Sequence, residues 1–212
     1  KLSHFTTINS YLDELSFHIK SKSSLENFFT EYQTKKRNEA EIIFEKMYYH
    51  LAKVKSIITL SRSGTVLKLL KLWYKENKNL KVVVCESRPR YEGRLAVEEL
   101  ANNGIKVELI TDAMIGIYIT KVDAAIIGAD SVLKNGNVIN KVGSYALALL
   151  CKENKKSFYV VADKSKFSNK NSFKIKIENP IAVWNKSIKN LTIRNIYFED
   201  VPKKLITKIF TD

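Results

Sequence analysis

The stretch KVVVCESRPRYEGRLAVEELANNGIKVELI, residues 81–110, decides the architecture. It opens with Lys81–Cys85, where Val82, Val83 and Val84 follow one another without polar alternation, as in a strand buried on both faces. The polar, proline-containing turn Glu86-Ser87-Arg88-Pro89 ends it. Gly93–Asn102 then carries apolar residues at helical spacing, and Lys106–Ile110 is a second β-rich run. Strands alternating with helices at this spacing imply βαβ units and a parallel sheet.

Working outward, the same alternation recurs on both sides. Ser56–Leu60 precedes a helix expected over residues 65–76. A short helix is expected near Ala113–Ile119, a strand at Ala124–Ile127, a helix at Ser144–Lys152 and a strand at Ser157–Ala162. An edge strand is expected near Asn195–Phe198, and Pro202 introduces an expected closing helix, Lys203–Phe210. Trp73 and Trp184 are expected to anchor helix packing. From Leu2 to Ala52 there is neither glycine nor proline. There Ile8, Leu12, Leu15 and Ile19, then Leu25, Phe28, Phe29 and Tyr32, fall at helical spacing. Two or three amphipathic helices follow, the second capped by Ser23 or Ser24 and running on through Ile42, Ile43, Phe44, Met47 and Tyr48. Their apolar faces are expected to pack on the second zone or to form part of a dimer surface.

Composition narrows the function classes. With 212 residues the chain can bury a large core without disulfide staples, and its net charge of +14 favours anionic partners of any kind. The lysines are scattered (Lys68, Lys71, Lys75, Lys78, Lys155, Lys156), with one cluster at Lys35, Lys36 and Arg37. No basic stripe with interleaved aromatics appears, so direct nucleic-acid binding is not expected. Cys85 and Cys151 sit in hydrophobic surroundings and read as reduced thiols of a cytoplasmic protein. No apolar run approaches membrane-spanning length, and Lys-Leu-Ser-His-Phe at the start lacks the apolar core of a signal peptide, so a soluble protein without a membrane partner is expected. His4, His18 and His50 lack metal-ligand spacing, and no metal is expected.

In an α/β sheet, ligands bind outside the carboxyl ends of the strands, so the polar clusters there are the candidate site. All seven glycines lie between Gly64 and Gly143, where backbone must turn or approach a ligand. After the first strand comes Ser61-Arg62-Ser63-Gly64-Thr65, which is neither Gly-x-Gly-x-x-Gly nor a Walker loop, so no nicotinamide or other cofactor is expected. Free N–H groups at a helix amino end, beside Ser and Arg side chains, suit a phosphate. The same residues fit a plainer role, with Ser61 or Ser63 capping the helix and Arg62 solvated. Asp130 follows Ile126-Ile127-Gly128-Ala129 at a strand end, as an active carboxylate or as a structural cap of the next turn. Asp112 is expected to cap a helix, Cys85 to pack, and Arg88-Pro89-Arg90 to bind an anion or shape the turn.

Glu86-Ser87-Arg88-Pro89, Glu92-Gly93-Arg94, Leu109-Ile110-Thr111-Asp112-Ala113, Gly128-Ala129-Asp130, Asn135-Gly136 and Asn140-Lys141-Val142-Gly143-Ser144-Tyr145 occur in this order. From about Lys55 to Asp212 the chain resembles the family uniting the alpha, beta and delta subunits of translation initiation factor 2B with 5-methylthioribose-1-phosphate isomerase and ribose-1,5-bisphosphate isomerase. The resemblance implies an α/β fold: a small N-terminal helical domain, residues 1–53, then a Rossmann-like domain with a mainly parallel sheet, residues 54–212. It implies a homodimer, partners among translation initiation factor 2 and related factor 2B subunits, and a phosphorylated sugar or nucleotide as ligand.

In the isomerases of this family a cysteine and the aspartate of Gly-Ala-Asp move protons. The aspartate corresponds to Asp130 and the cysteine to Ser61, whose hydroxyl ionises far less readily than a thiol. Glu92 stands where isomerases commonly carry a substrate-contacting glutamine, a departure toward the factor subunits. A carboxylate there repels a sugar phosphate unless Arg88 or Arg94 neutralises it. Asn140 and Lys141 resemble the substrate-binding pair, reinforced by the helix opening at Val142-Gly143-Ser144. No Arg-Gly pair for gripping phosphate appears in the helical zone. The expectation is a non-catalytic member that keeps a ligand pocket lined by Ser61, Arg62, Ser63, Gly64, Arg88, Glu92, Asn140 and Lys141. The alternative is an aldose–ketose isomerase acting through Asp130.

Overall fold

The computed structural model describes residues 6–21 and 24–212. His4, Ser23 and the side chains of Ile8 and Arg37, which figured in the sequence reading, lie outside the described residues.

Two helices open the chain, α1 (Thr6–Lys20) and α2 (Leu25–Leu51). Ser24 caps α2, its hydroxyl accepting from the Asn27 N–H. The strands β1 (Ser56–Leu60), β2 (Lys81–Cys85), β3 (Lys106–Ile110) and β4 (Ala124–Ile127) then alternate with α3 (Gly64–Glu76), α4 (Glu92–Asn102) and the short α5 (Ile115–Tyr118). A two-residue strand β5 (Ser131–Val132) and β6 (Val138–Lys141) precede α6 (Ser144–Glu153), β7 (Ser157–Val161), β8 (Phe198–Val201) and β9 (Lys208–Phe210).

The main sheet is six-stranded in the order β3-β2-β1-β4-β7-β9, and every pairing in it is parallel. The runs that lack polar alternation are buried on both faces. Along β2, Val82 and Val84 join one core while Val83 and Cys85 join the other; along β4, Ala124 and Ile126 part from Ala125 and Ile127 in the same way. One face is covered by α3 and α4 together with Ile43, Met47 and Leu51 of α2, the other by α5 and α6. The carboxyl-terminal half of α2 thus packs on the sheet, one of the two placements expected for the helical zone.

Three expectations from the later sequence need correction. The closing helix over Lys203–Phe210 does not form. After Pro202 the chain makes one 3-10 turn, Lys203–Leu205, and then enters β9, the sixth strand of the main sheet. Ile209 within the strand and the β-branched Ile206 and Thr207 just before it favour this extended course, and Thr207 fixes its place by donating its N–H to the Phe158 carbonyl and accepting from the Phe158 N–H at its hydroxyl, both at 2.9 Å. The edge strand expected near Asn195–Phe198 begins at Phe198 instead. It belongs to a second, antiparallel sheet, β5-β6-β8, where Lys141 pairs with Phe198 and Val138 with Val201. Trp73 is buried as expected, whereas Trp184 is 52% exposed and anchors no helix. It lies in a stretch whose only helical element is the 3-10 turn Pro180–Ala182.

Candidate functional site

Strand order reverses between β1 and β4, from which the sheet runs to β2 and β3 on one side and to β7 and β9 on the other. A crevice at such a switch point opens beyond the carboxyl ends of the two strands. A cavity of about 460 Å3 lies there, lined by Ser61, Arg62, Ser63 and Gly64 after β1 and by Gly128, Ala129 and Asp130 after β4. Glu92 at the start of α4 and Asn140 and Lys141 at the end of β6 join them, so that of the ligand-binding group read from the sequence all but Arg88 meet here. The volume suits a small phosphorylated ligand.

The amino end of α3 is built for close approach. Ser63 caps it, its hydroxyl accepting from the Val66 N–H at 3.4 Å, and the Ser63 carbonyl accepts from Leu67 at 2.9 Å. The N–H groups of Gly64 and Thr65, both residues of the cavity wall, keep no partner among the described residues. The helix start comes so near β4 that a Cβ on Gly128 would overlap the Ser63 hydroxyl and lie 2.7 Å from its Cβ. Ser61 holds a left-handed backbone, φ 62°, and donates its N–H to the Ser87 hydroxyl at 2.6 Å. Asp112 does not cap the following helix. Its carboxylate accepts from the N–H groups of Ser87 (2.9 Å) and Arg88 (2.7 Å) and so steadies the loop on which Ser61 rests.

The arginines expected to neutralise Glu92 are engaged elsewhere. Arg88 bonds the Tyr91 hydroxyl and the Val183 carbonyl, and it does not line the cavity. Arg94 pairs with Glu86 at 2.9 Å, and Arg90 donates to the Tyr197 hydroxyl at 2.7 Å. The counter-ion is Lys141, whose side chain is only 4% exposed, with Nζ 2.8 Å from Glu92 Oε1 and 4.6 Å from the centre of the Tyr197 ring. Arg62 leans away onto Glu99 (2.8 Å), which Lys71 also holds, and this pairing draws the Glu99 carboxyl below its ordinary range. Asn140 is buried and donates to the Ser144 hydroxyl at 2.9 Å. The amino end of α6 offers no free anion seat, because Glu199 occupies it, accepting from the N–H groups of Gly143 (2.7 Å) and Tyr145 (2.8 Å).

Asp130 is not a cap. Its own N–H donates to the Ile139 carbonyl at 2.8 Å, and no hydrogen bond from a described residue reaches its carboxylate. Burial pushes its pKa up, Lys166 and Lys141 pull the other way, and Glu92 adds to the rise. A folded pKa above the unfolded one means that stability is complete below the unfolded value and declines as pH rises through the folded value. Asp130→Asn is therefore expected to melt at a higher temperature than the parent at pH 7, with the gain shrinking toward pH 4. A loss of stability at pH 7 would instead reveal a structural hydrogen bond.

Other cavity residues escaped the sequence reading. Tyr32, Lys36 and Glu39 come from α2, Asp163 and Lys166 from beyond β7, and Tyr197 from just before β8. Lys36 Nζ lies 2.8 Å from Glu39 and 3.1 Å from Asp163, tying α2 to the end of the sheet across the cavity wall. Burial works against charge on both partners of the Lys36–Asp163 contact. The contacts with Glu39 and Asp163 nevertheless raise the lysine's pKa, and Ser165 and Lys36 lower the Asp163 carboxyl. The two thiols are elsewhere: Cys85 and Cys151 are buried and free, with pKa values pushed up to about 12 by burial.

No described helix is long and apolar enough to cross a membrane. A protein of Pyrococcus horikoshii named translation initiation factor eIF-2B subunit 2-like is 40% identical over 157 residues, which is 74% of this chain and 55% of that protein. Ribose 1,5-bisphosphate isomerase of Methanocaldococcus jannaschii is 33% identical over 163 residues, covering 74% and 53% of the two chains. The chain thus spans about half the length of the curated relatives it matches. Among solved structures, translation initiation factor eIF-2B of P. horikoshii OT3 superposes with a TM-score of 0.75 and 33% identity, covering 86% of this chain and 65% of that one. Residues 2–212 match the profile of the Initiation factor 2 subunit family, and the chain belongs to that family.

Proposed function

We propose that this chain is a non-catalytic initiation factor 2B-like subunit whose cavity binds a phosphorylated sugar or nucleotide. In this reading it works in the cytoplasm, pairs with itself or with related factor 2B subunits, and acts on translation initiation factor 2. Residues 1–53 serve as a helical N-terminal domain, whose Tyr32, Lys36 and Glu39 join the cavity wall, and residues 54–212 as the Rossmann-like domain that carries the sheet and the rest of the pocket. The observation that carries the reading is the pairing of a phosphate-type cradle with a missing nucleophile. The free N–H groups at the start of α3 and the lysines of the cavity suit an anion, while Ser61 supplies only a hydroxyl beside Asp130. Neither thiol lines the cavity, and both are held protonated by burial.

Titrating the purified chain with ribose 5-phosphate, 5-methylthioribose 1-phosphate, AMP and GDP in thermal melts tests the binding. A ligand at a hundredfold excess over its Kd adds about 2.7 kcal/mol to native stability. For a chain of this size that raises Tm by roughly 5–10 °C. Melts unmoved by every phosphate at millimolar concentration would contradict a ligand pocket and leave a purely protein-binding role.

A second reading has one observation in its favour: Asp130 has its carboxyl pKa raised by burial and no hydrogen bond from a described residue, as befits a group that exchanges protons. In that reading the chain is an aldose–ketose isomerase for ribose 1,5-bisphosphate or 5-methylthioribose 1-phosphate, with Asp130 donating and accepting the proton.

A further inference from the structure

Residues 164–197, which link β7 to β8, contain little regular structure: two 3-10 turns, Lys164–Lys166 and Pro180–Ala182, and two isolated bridges, at Phe167 and between Ile177 and Ile196. They carry eight lysines and arginines against one acid, Glu178, and so hold half of the chain's net charge of +14. Large apolar side chains stand open among those charges: Ile175, Ile177, Ile181, Trp184, Ile188 and Leu191 are all exposed. A single exposed apolar residue needs no explanation, but a set of them in one connection does.

The second bridge makes Lys174-Ile175-Lys176-Ile177-Glu178 a strand edge. Ile177 pairs antiparallel with Ile196, and the Glu178 N–H donates to the Asn195 carbonyl at 2.8 Å. Backbone groups of successive residues in a paired strand point to opposite sides, so the N–H and carbonyl of Ile177 face away from Asn195, where no described residue bonds them. Those of Ile175 are likewise unbonded by described residues. Ile175 and Ile177, two residues apart and therefore on one face, are 56% and 64% exposed. On the other face Lys174 has no carboxylate within ion-pair distance among the described residues, and Lys176 pairs with Glu178 at 2.6 Å while its side chain stays 47% exposed. Lysines on a free edge guard it against aggregation, but an edge built only to stay unpaired gains nothing from two open isoleucines.

We propose that residues 174–178 dock an acidic segment of a partner protein, which adds to this edge as a strand alternating aspartate or glutamate with apolar residues. Its backbone takes up the free groups of Ile175 and Ile177, its apolar side chains cover the isoleucines, and its carboxylates meet Lys174 and Lys176 within the surplus of positive charge. A second copy of this chain fits worse: it brings the same surplus, and antiparallel self-pairing about Lys176 sets two lysines opposite each other. Nucleic acid fits worse too, because the exposed isoleucines offer no face on which a base stacks. None of residues 174–178 lines the cavity, so the docking edge and the ligand reading above fail separately.

The probe is a short capped peptide alternating glutamate and valine, titrated calorimetrically into the purified chain beside its lysine–valine and glutamate–serine counterparts. The glutamate–valine peptide is expected to bind with a Kd below about 1 mM, at least about tenfold more tightly than either counterpart. With that peptide at about tenfold its Kd, hydrogen exchange followed by NMR is expected to slow roughly tenfold at the Ile175 and Ile177 amides, which attraction of charge alone would not produce. Lys174→Glu/Lys176→Glu, with its folding confirmed by melts, is expected to shift the preference to the lysine–valine peptide. Absence of binding at millimolar peptide, equal binding of the three peptides, or binding that leaves both amides unprotected would overturn the proposal. Tighter binding of an oligouridylate or of phosphatidylserine vesicles, lost in the same variant, would overturn it in favour of nucleic acid or a membrane. Concentration-dependent dimerisation of the parent, abolished in that variant, would overturn it in favour of a second copy.

Discussion

Gly93→Ala is expected to lose about 3 kcal/mol or more of stability. Gly93 is the second residue of α4, and the helix lies directly on the end of β2. A Cβ at this position would run into the Cys85 carbonyl oxygen and lie 2.9 Å from its carbon and 3.0 Å from Glu86 Cα. All three atoms are backbone, two in the last residue of the inner strand β2 and one in the residue after it, and none can rotate away. Relief requires α4 to lift off the sheet, which separates Ala96 and Leu100 from the core and carries Glu92 away from the cavity. Gly116→Ala provides the control. Nothing lies within 4 Å of a Cβ there, and the residue is helical, so the substitution is expected to be neutral or to gain up to about 1 kcal/mol. Urea unfolding of the two variants reads the difference. A Gly93→Ala protein within about 0.5 kcal/mol of the parent, the range of an ordinary surface change, would contradict the close approach of α4 to β2.

Lys141→Met is expected to cost about 2 kcal/mol and to weaken phosphate binding, because it leaves Glu92 as a bare carboxylate in the cavity wall. The lysine is almost wholly buried at the end of β6, and its stem packs into the protein beside the Tyr197 ring. Methionine keeps most of that volume. It leaves Glu92 as an uncompensated carboxylate, a loss of 3–5 kcal/mol where both partners are fully buried. Glu92 is 28% exposed, so water recovers part of that loss. Adding Glu92→Gln to Lys141→Met is expected to restore most of the stability, because the pair then disappears as a unit. A double variant no more stable than Lys141→Met alone would show that the lysine acts through packing and not through its charge.

The sequence discloses the sheet because its strands are extreme. Val82–Val84 and Ala124–Ile127 have no polar face, and only strands covered on both sides tolerate that. The strand ends were legible by the same logic: Ser61, Ser63, Asp130 and Lys141 converge on one cavity although 80 residues separate the first from the last. Asp163 obeys the rule as well, standing two residues beyond β7, and was there to be found. Lys36, Glu39 and Tyr32 were not. They are solvent-type residues on an amphipathic helix, and only the docking of α2 through Ile43 and Met47 turns them toward the cavity.

Arg88 illustrates the converse. A guanidinium beside a strand end reads as an anion ligand, but its direction is set by Tyr91 and by the Val183 carbonyl, a partner 95 residues away. The closing segment misled for a different reason. Eight residues with three lysines and four apolar side chains satisfy a helical stripe and a strand about equally. The free edge of β7 decided between them, since pairing there satisfies backbone groups that a helix would leave open.

The central claim is a pocket that binds without turning over. It is tested most directly by incubating the purified chain with ribose 1,5-bisphosphate and, separately, with 5-methylthioribose 1-phosphate, and following the sugar carbons by NMR. The account predicts that each aldose phosphate persists unchanged in the presence of stoichiometric protein, because Ser61 provides no thiolate beside Asp130. Appearance of the ketose phosphate, lost on Asp130→Asn, would contradict the non-catalytic reading and make this chain an isomerase.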